Sequence, residues 1–270
     1  MSEITVAVVQ MAPVLMEQEQ NVGRIREKIR EIASREPTDL IVFPELVTTG
    51  RECGARFPRL AERLDGSVVS LIAESAAQMN VAVAFGMVLK EKVESVIYNA
   101  MVLVGPDGEF VGDYRKVHLR GEERMAFREG HKFPVFEMPF GSVGMLIGWD
   151  VMFPEAARSL VLDGASLIVL GANWESSMAS AWRPLLTARA IENGVFVAAA
   201  NRVGEEPSYS FPGDSMILGP SGETYSVVDE PVEGYAVARL DLARVRVIRE
   251  ELQILQNRHP DSYRKVVRKY

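Results

Sequence analysis

The sequence predicts an α/β protein of two packed sheets, each covered by helices. Three observations carry this. Short runs rich in valine, isoleucine and alanine alternate with segments whose apolar residues recur at helical spacing. The order strand, helix, strand, helix, strand, hairpin occurs twice along the chain. No linker rich in Gly, Ser or Pro divides the two halves, so the expectation is one domain over residues 1–270.

Residues 4–10 read as a buried strand that ends in polar Gln10. Residues 21–35 read as an amphipathic helix, with Val22, Ile25, Ile29 and Ile32 on one face. A second buried strand follows at 40–44, a helix at 68–79 and a third strand at 82–87. Residues 98–104 and 110–114 flank Gly105-Pro106-Asp107-Gly108, which reads as the turn of a hairpin. The second half repeats the series: strand 142–147, helix 155–163, strand 167–170, helix 182–192 and strand 195–200. A hairpin of 215–218 and 223–228 surrounds Gly219-Pro220-Ser221-Gly222, and 234–240 is a last strand. The highly charged segment 241–270 reads as a solvated tail or as an arm ordered by a partner subunit.

Composition bounds the function. The chain has 270 residues, 47% hydrophobic and 25% charged, which is enough apolar material for a sizeable core. A formal net charge of -7 gives no bulk attraction for nucleic acid or anionic membranes. No apolar run approaches the ~20 residues of a membrane span. The first ten residues lack the basic and long apolar regions of a signal peptide. The single cysteine, Cys53, rules out an intramolecular disulfide. A cytoplasmic protein with a small-molecule ligand, and no nucleic-acid or membrane partner, is expected.

Three segments at the ends of buried strands could carry chemistry, because α/β folds place their sites there. In Phe43-Pro44-Glu45-Leu46, a carboxylate directly after an apolar strand is partly desolvated, which suits it to act as a base. It could equally cap or ion-pair the strand end. In Asp113-Tyr114-Arg115-Lys116-Val117-His118-Leu119, Lys116 could hold positive charge against an oxyanion or lie exposed. His118 reads as a hydrogen-bonded structural residue before a base. The third segment runs Val143-Gly144-Met145-Leu146-Ile147-Gly148-Trp149-Asp150, then Phe153-Pro154-Glu155. It reads as strand, sharp turn and helix, a geometry that presents one residue beside backbone N–H groups. That residue is Gly148, whose ordinary reading is a tight turn; Asp150 could cap the helix that follows.

Together these segments resemble the nitrilase superfamily of carbon–nitrogen hydrolases. So do Ala172-Asn173-Trp174, Arg189-Ala190-Ile191-Glu192-Asn193 and Asn201-Arg202-Val203-Gly204, in the same order and spacing. The resemblance implies a four-layer α-β-β-α sandwich and hydrolysis of a non-peptide carbon–nitrogen bond without cofactor or metal. It places the base at Glu45, the lysine at Lys116 and a second glutamate at Glu123, with Glu122 as the rival. Trp149, Asn173 and Trp174 fall at oxyanion or substrate-binding positions. The nucleophile position of the family, a cysteine, maps to Gly148. Retention of Glu45, Lys116 and Glu123 favours a nucleophile-substituted amidase over a natural non-catalytic ligand-binding relative. Cys53, in a loop after Glu45, matches no nucleophile of the family. Within the resemblance, Trp149 is similar to true nitrilases and Asp150 to amidases, and a small amide is favoured over a nitrile; an N-carbamoyl compound is less favoured because no arginine placed for an α-carboxylate stands close to the elbow in sequence. Arg158 lies further along, where a structural ion pair is expected. Trp174, Met178 and Trp182 could line the pocket, or belong to the core or an interface. The resemblance also implies a homodimer or higher homo-oligomer, with 241–270 crossing to a partner.

Overall fold

The computed structural model describes residues 3–91, 96–266 and 268. Met1 and Ser2 of the opening run, and residues 267, 269 and 270 of the C-terminal segment, lie outside the described residues. The first half comprises β1 (Glu3–Gln10), α1 (Gln18–Arg35), β2 (Leu40–Val42), the single turn α2 (Phe57–Leu60), α3 (Ser67–Met79), β3 (Ala82–Lys90), β4 (Ile97–Val104), β5 (Phe110–Arg115) and the short α4 (Glu123–Ala126). The second comprises β6 (Val135–Met138), β7 (Gly141–Ile147), α5 (Pro154–Leu162), β8 (Leu167–Ala172), α6 (Ala179–Asn193), β9 (Phe196–Asn201), β10 (Val203–Glu206), β11 (Tyr209–Pro212), β12 (Met216–Leu218) and β13 (Thr224–Val227). β14 (Gly234–Asp241) and α7 (Ala243–Leu252) close the chain.

Two six-stranded sheets result, ordered β14-β1-β2-β3-β4-β5 and β13-β12-β9-β8-β7-β6. In each, three parallel strands continue into an antiparallel hairpin: β1-β2-β3 into β4-β5, and β7-β8-β9 into β12-β13. An antiparallel strand covers the opposite side of each, β14 on β1 and β6 on β7. β6 had no sequence signal, being four residues long with only Met138 buried.

The layers follow from side-chain alternation. On β1, Val6 and Val8 join the core between the sheets, while Ala7 and Val9 join the core under the helices. A strand buried on both faces reads as a continuous apolar run, as it does here. Val22, Ile25, Ile29 and Ile32 of α1 pack with Val68, Val69 and Ile72 of α3 onto the first sheet. Ala156, Leu160, Leu186 and Ala190 of α5 and α6 cover the second. The result is the expected four-layer α-β-β-α sandwich.

Two features depart from the sequence reading. The hairpin β10–β11 forms a separate two-stranded sheet; its sequence, Val203 to Pro212, is too polar and proline-interrupted to read as strands. The segment after 241 begins as a helix lying on its own chain. Val245 of α7 is buried, and Arg249 donates to the carbonyl oxygens of Ala165 (2.7 Å) and Asn193 (3.2 Å). Among the described residues no helix is long and apolar enough to cross a membrane.

Candidate active site

The strand ends β2, β5, β7 and β8 converge on one small cavity of about 30 Å³. Its walls include Glu45, Lys116, Glu123, Gly148, Trp149, Asn173 and Trp174. Glu45 is 3% exposed. Its backbone passes between the sheets because both flanking strands carry glycine. A Cβ on Gly86 of β3 would lie 2.6 Å from the Glu45 Cα, and one on Gly171 of β8 would lie 3.0 Å from the Glu45 nitrogen.

Glu45 receives hydrogen bonds on both oxygens. Lys116 Nζ (2.6 Å) and Asn99 Nδ2 (2.6 Å) donate to Oε1, and the backbone N–H of Asn173 donates to Oε2 (2.9 Å). Lys116, also 3% exposed, bonds both oxygens of Glu123, at 2.7 and 2.9 Å. The backbone N–H of Arg120 (3.1 Å) and Asn99 Nδ2 (3.0 Å) complete the second carboxylate. Glu123, rather than its neighbour Glu122, therefore faces the lysine; Glu122 lines an outer groove.

Two buried carboxylates share one ammonium, and their titrations divide. Burial pushes Glu45 above the ordinary carboxylate range; the charge of Lys116 opposes this without reversing it, and the charge of Glu123 adds to it. Burial would raise Glu123 as well, but the charge and hydrogen bonds of Lys116 outweigh it and hold that carboxyl below its usual value. Lys116 is raised: burial would lower it, but the two carboxylates prevail. Burial and the shared ammonium thus shift the two carboxyls in opposite directions, Glu45 up and Glu123 down.

Gly148 closes the remaining wall. Its φ of +42° lies in the left-handed region that favours glycine. A Cβ there would stand 2.6 Å from Oε2 of Glu45. The elbow is pinned by Asp150, which caps backward and does not cap α5 as the sequence suggested. Its Oδ2 accepts from the Tyr114 hydroxyl (2.7 Å) and the Ile147 N–H (3.1 Å). Its Oδ1 accepts the backbone N–H of His118 (3.0 Å) and contacts His118 Nδ1 at 2.8 Å. The His118 ring stacks on Phe153, centroids 3.6 Å apart, so His118 joins the lysine segment to the elbow.

Trp174 and Met178 line the cavity, but Trp182 does not; it is fully buried and donates to the carbonyl of Asp214 (2.8 Å). Asn173 is 7% exposed, and among the described residues neither its Oδ1 nor its Nδ2 has a partner. Among the described residues Arg158 does not make the expected ion pair; its Nη2 donates to the carbonyl of Glu192 (2.5 Å). Cys53 is buried away from the cavity, and burial, with the charge of Glu206 adding, pushes its thiol up to about 12, so it is no ready nucleophile.

The sequence showed no arginine close to the elbow, yet the fold brings two. Arg51 and Arg120 line the cavity and share Glu175, at 2.7 and 3.5 Å. Arg51 lies over the Tyr209 ring (4.1 Å) and Arg120 over the Trp149 ring (4.5 Å). Both extend into an outer groove of about 620 Å³ with Leu46, Phe57, Ile97 and Phe127. Asn99, Arg51 and Glu175 carry no sequence signal, since nothing local distinguishes them from ordinary strand or loop residues. Among the described residues no group of three or more His, Cys, Asp or Glu is placed to hold a metal ion.

The two duplicated sheets thus bring a buried Glu-Lys-Glu cluster to their joint. Residues 5–250 match the carbon-nitrogen hydrolase family, and the chain belongs to that family. It is 38% identical over 266 residues to the protein named probable nitrilase in Schizosaccharomyces pombe, covering 97% of this chain and 98% of that one. It is 33% identical to the 2-oxoglutaramate amidase of Bacillus subtilis, covering 83% and 86%. Among solved structures it resembles a substituted amidase from Nesterenkonia sp. AN1 in complex with acrylamide, with a TM-score of 0.88, 26% identity and 99% and 98% coverage. Another form of that amidase carries the acetamide moiety of fluoroacetamide covalently on its active-site cysteine; it matches with a TM-score of 0.86, 26% identity and 97% and 96% coverage.

Proposed function

We propose that this chain is an amidase whose nucleophile position is Gly148, so that it binds a small amide without completing thiol-dependent hydrolysis. One observation carries this reading: a side chain at 148 would project directly onto the carboxylate of Glu45, 2.6 Å from its Cβ. That is where a thiol must lie for a base to take its proton. In the form bearing cysteine, Glu45 takes the thiol proton and the thiolate attacks the amide carbon. Lys116 and the Trp149 backbone N–H stabilise the oxyanion. Glu45 then protonates the leaving ammonia and activates the water that hydrolyses the thioester. A carboxyl raised by burial suits both duties. The Nesterenkonia amidase, with a covalent adduct on its active-site cysteine, supports the same assignment.

Gly148→Cys tests it. The variant is expected to hydrolyse short primary amides and to show an acyl-enzyme by mass spectrometry, with a gain of at least about 10³-fold over the parent. A folded variant that gives neither hydrolysis nor adduct with any amide would end this reading. Arg51 and Arg120 favour a second one, an amide or N-carbamoyl substrate that carries a carboxylate, because a guanidinium pairs with that group in a bidentate manner. The same assay run with succinamate beside propionamide separates the two. We further propose one domain over 1–270 in a cytoplasmic homo-oligomer, with the end of 241–270 contacting a partner subunit.

A further inference from the structure

Between the catalytic cavity and the outer groove stands Arg51, and a separate piece of the fold holds it there. The hairpin β10–β11 belongs to neither main sheet. Its residue Glu206 turns inward and is nearly buried. One carboxylate oxygen accepts the backbone N–H of Arg51 (2.9 Å) and the other that of Glu52 (2.7 Å). The fit is close: a Cβ on Gly50, whose φ is +80°, would lie 2.8 Å from Oε1 of Glu206. In return Glu52 accepts the N–H of Ser208 (2.8 Å) at the hairpin turn. The charge of Glu206 is balanced by Arg202, which is 1% exposed and lies over the Phe211 ring.

The clip carries through to the reacting groups. Arg51 lies over Tyr209 of the same hairpin, pairs with Glu175 and reaches the carbonyl of Asn173 at 3.5 Å. The N–H of that same Asn173 holds Oε2 of Glu45. Glu206 itself does not line the cavity. We propose that Glu206 is a positioning residue: by clamping residues 50–52 it sets Arg51 as the wall of the amide-binding cavity, and so sets affinity for the ligand it never touches. A buried ion pair spent on a surface hairpin otherwise gains the fold little, since apolar residues would pack there at lower desolvation cost. This inference rests on the amide-binding reading above.

Calorimetry of the chain as it stands, with propionamide as probe, tests it. Glu206→Gln removes one of the two acceptors and is expected to weaken binding about tenfold, as is Arg51→Ala. Because both act through one wall, the double variant should bind no more weakly than Arg51→Ala alone. Should Glu206→Gln unfold by leaving Arg202 unpaired, the pair exchange Arg202→Met with Glu206→Gln removes the stranded charge and should show the same tenfold loss. Parent-like affinity in a folded Glu206 variant, or losses that multiply in the double variant, would overturn the positioning role. A parent chain that binds no amide at all would overturn the amide reading, and this inference with it, whereas the first two results leave the amide reading intact.

Discussion

β2 and β8 occupy equivalent places in the two halves, yet the chain leaving β2 carries the acid Glu45 and the chain leaving β8 carries the amide Asn173. The difference extends to the whole site. The first half supplies every charge of the buried Glu45-Lys116-Glu123 cluster, and the strand residue Asn99 that bridges both carboxylates. The second half supplies backbone: the N–H of Asn173 and the left-handed turn at Gly148. Its buried carboxylate at the elbow, Asp150, holds that turn in place. A repeated topology therefore places two strand ends at one point, and the residues there divide into a half that brings charged side chains and a half that brings backbone groups.

The charged half should be the more fragile. Lys116→Met leaves two buried carboxylates facing each other, and about 3–5 kcal/mol of stability should be lost, read by urea unfolding. Asp150→Asn tests the backbone half. It turns one of the two acceptor oxygens into a donor, leaving either Tyr114 and Ile147 or His118 without its acceptor, and should cost about 1–3 kcal/mol. Equal losses from the two variants would erase the contrast between the halves. Gly148→Ala should cost about 1–2 kcal/mol, through a left-handed backbone and contact with Glu45; a variant as stable as the parent would show that the turn relaxes freely.

The remaining effects concern pH. A raised carboxyl is a base only above its pKa, so acylation by the Gly148→Cys form should rise with pH through the elevated value of Glu45. Asn99 donates to the oxygen that carries this charge, so adding Asn99→Ala should move the inflection to higher pH. An unmoved profile would leave Asn99 with packing alone. For stability the two acids have opposite signs. Glu123, depressed in the fold, contributes above its unfolded pKa, and that contribution is lost as pH falls through its folded value. Glu45, raised, contributes at low pH, and its contribution is lost as pH rises through its folded value. Glu123→Gln should therefore flatten the acid limb of a stability profile, the smallest of these changes.

Much of this was legible in sequence where the cause is local. Val6 to Val9 had to be a strand buried on both faces, and Glu45 at the end of an apolar run had to be desolvated. Glu123 over Glu122 followed from the motif alone; that Glu123 meets Lys116 depends on which face of a one-turn helix turns toward it. Asn99 was not legible, since it lies 54 residues from the carboxylate it bonds. Arg51 and Arg120 carry no local signal because the rings they lie over, Tyr209 and Trp149, are distant in the chain, and Trp182, a pocket candidate by sequence, fills the core.

By itself the sequence determined the layers, the duplicated strand order and the glycine at the elbow, because hydrophobic periodicity and turn chemistry act over a few residues. Only the tertiary structure decided which way each carboxyl is shifted, which arginines wall the cavity and what holds them. Those depend on desolvation and on Coulomb interactions across space, and both are set by distances that chain spacing does not contain.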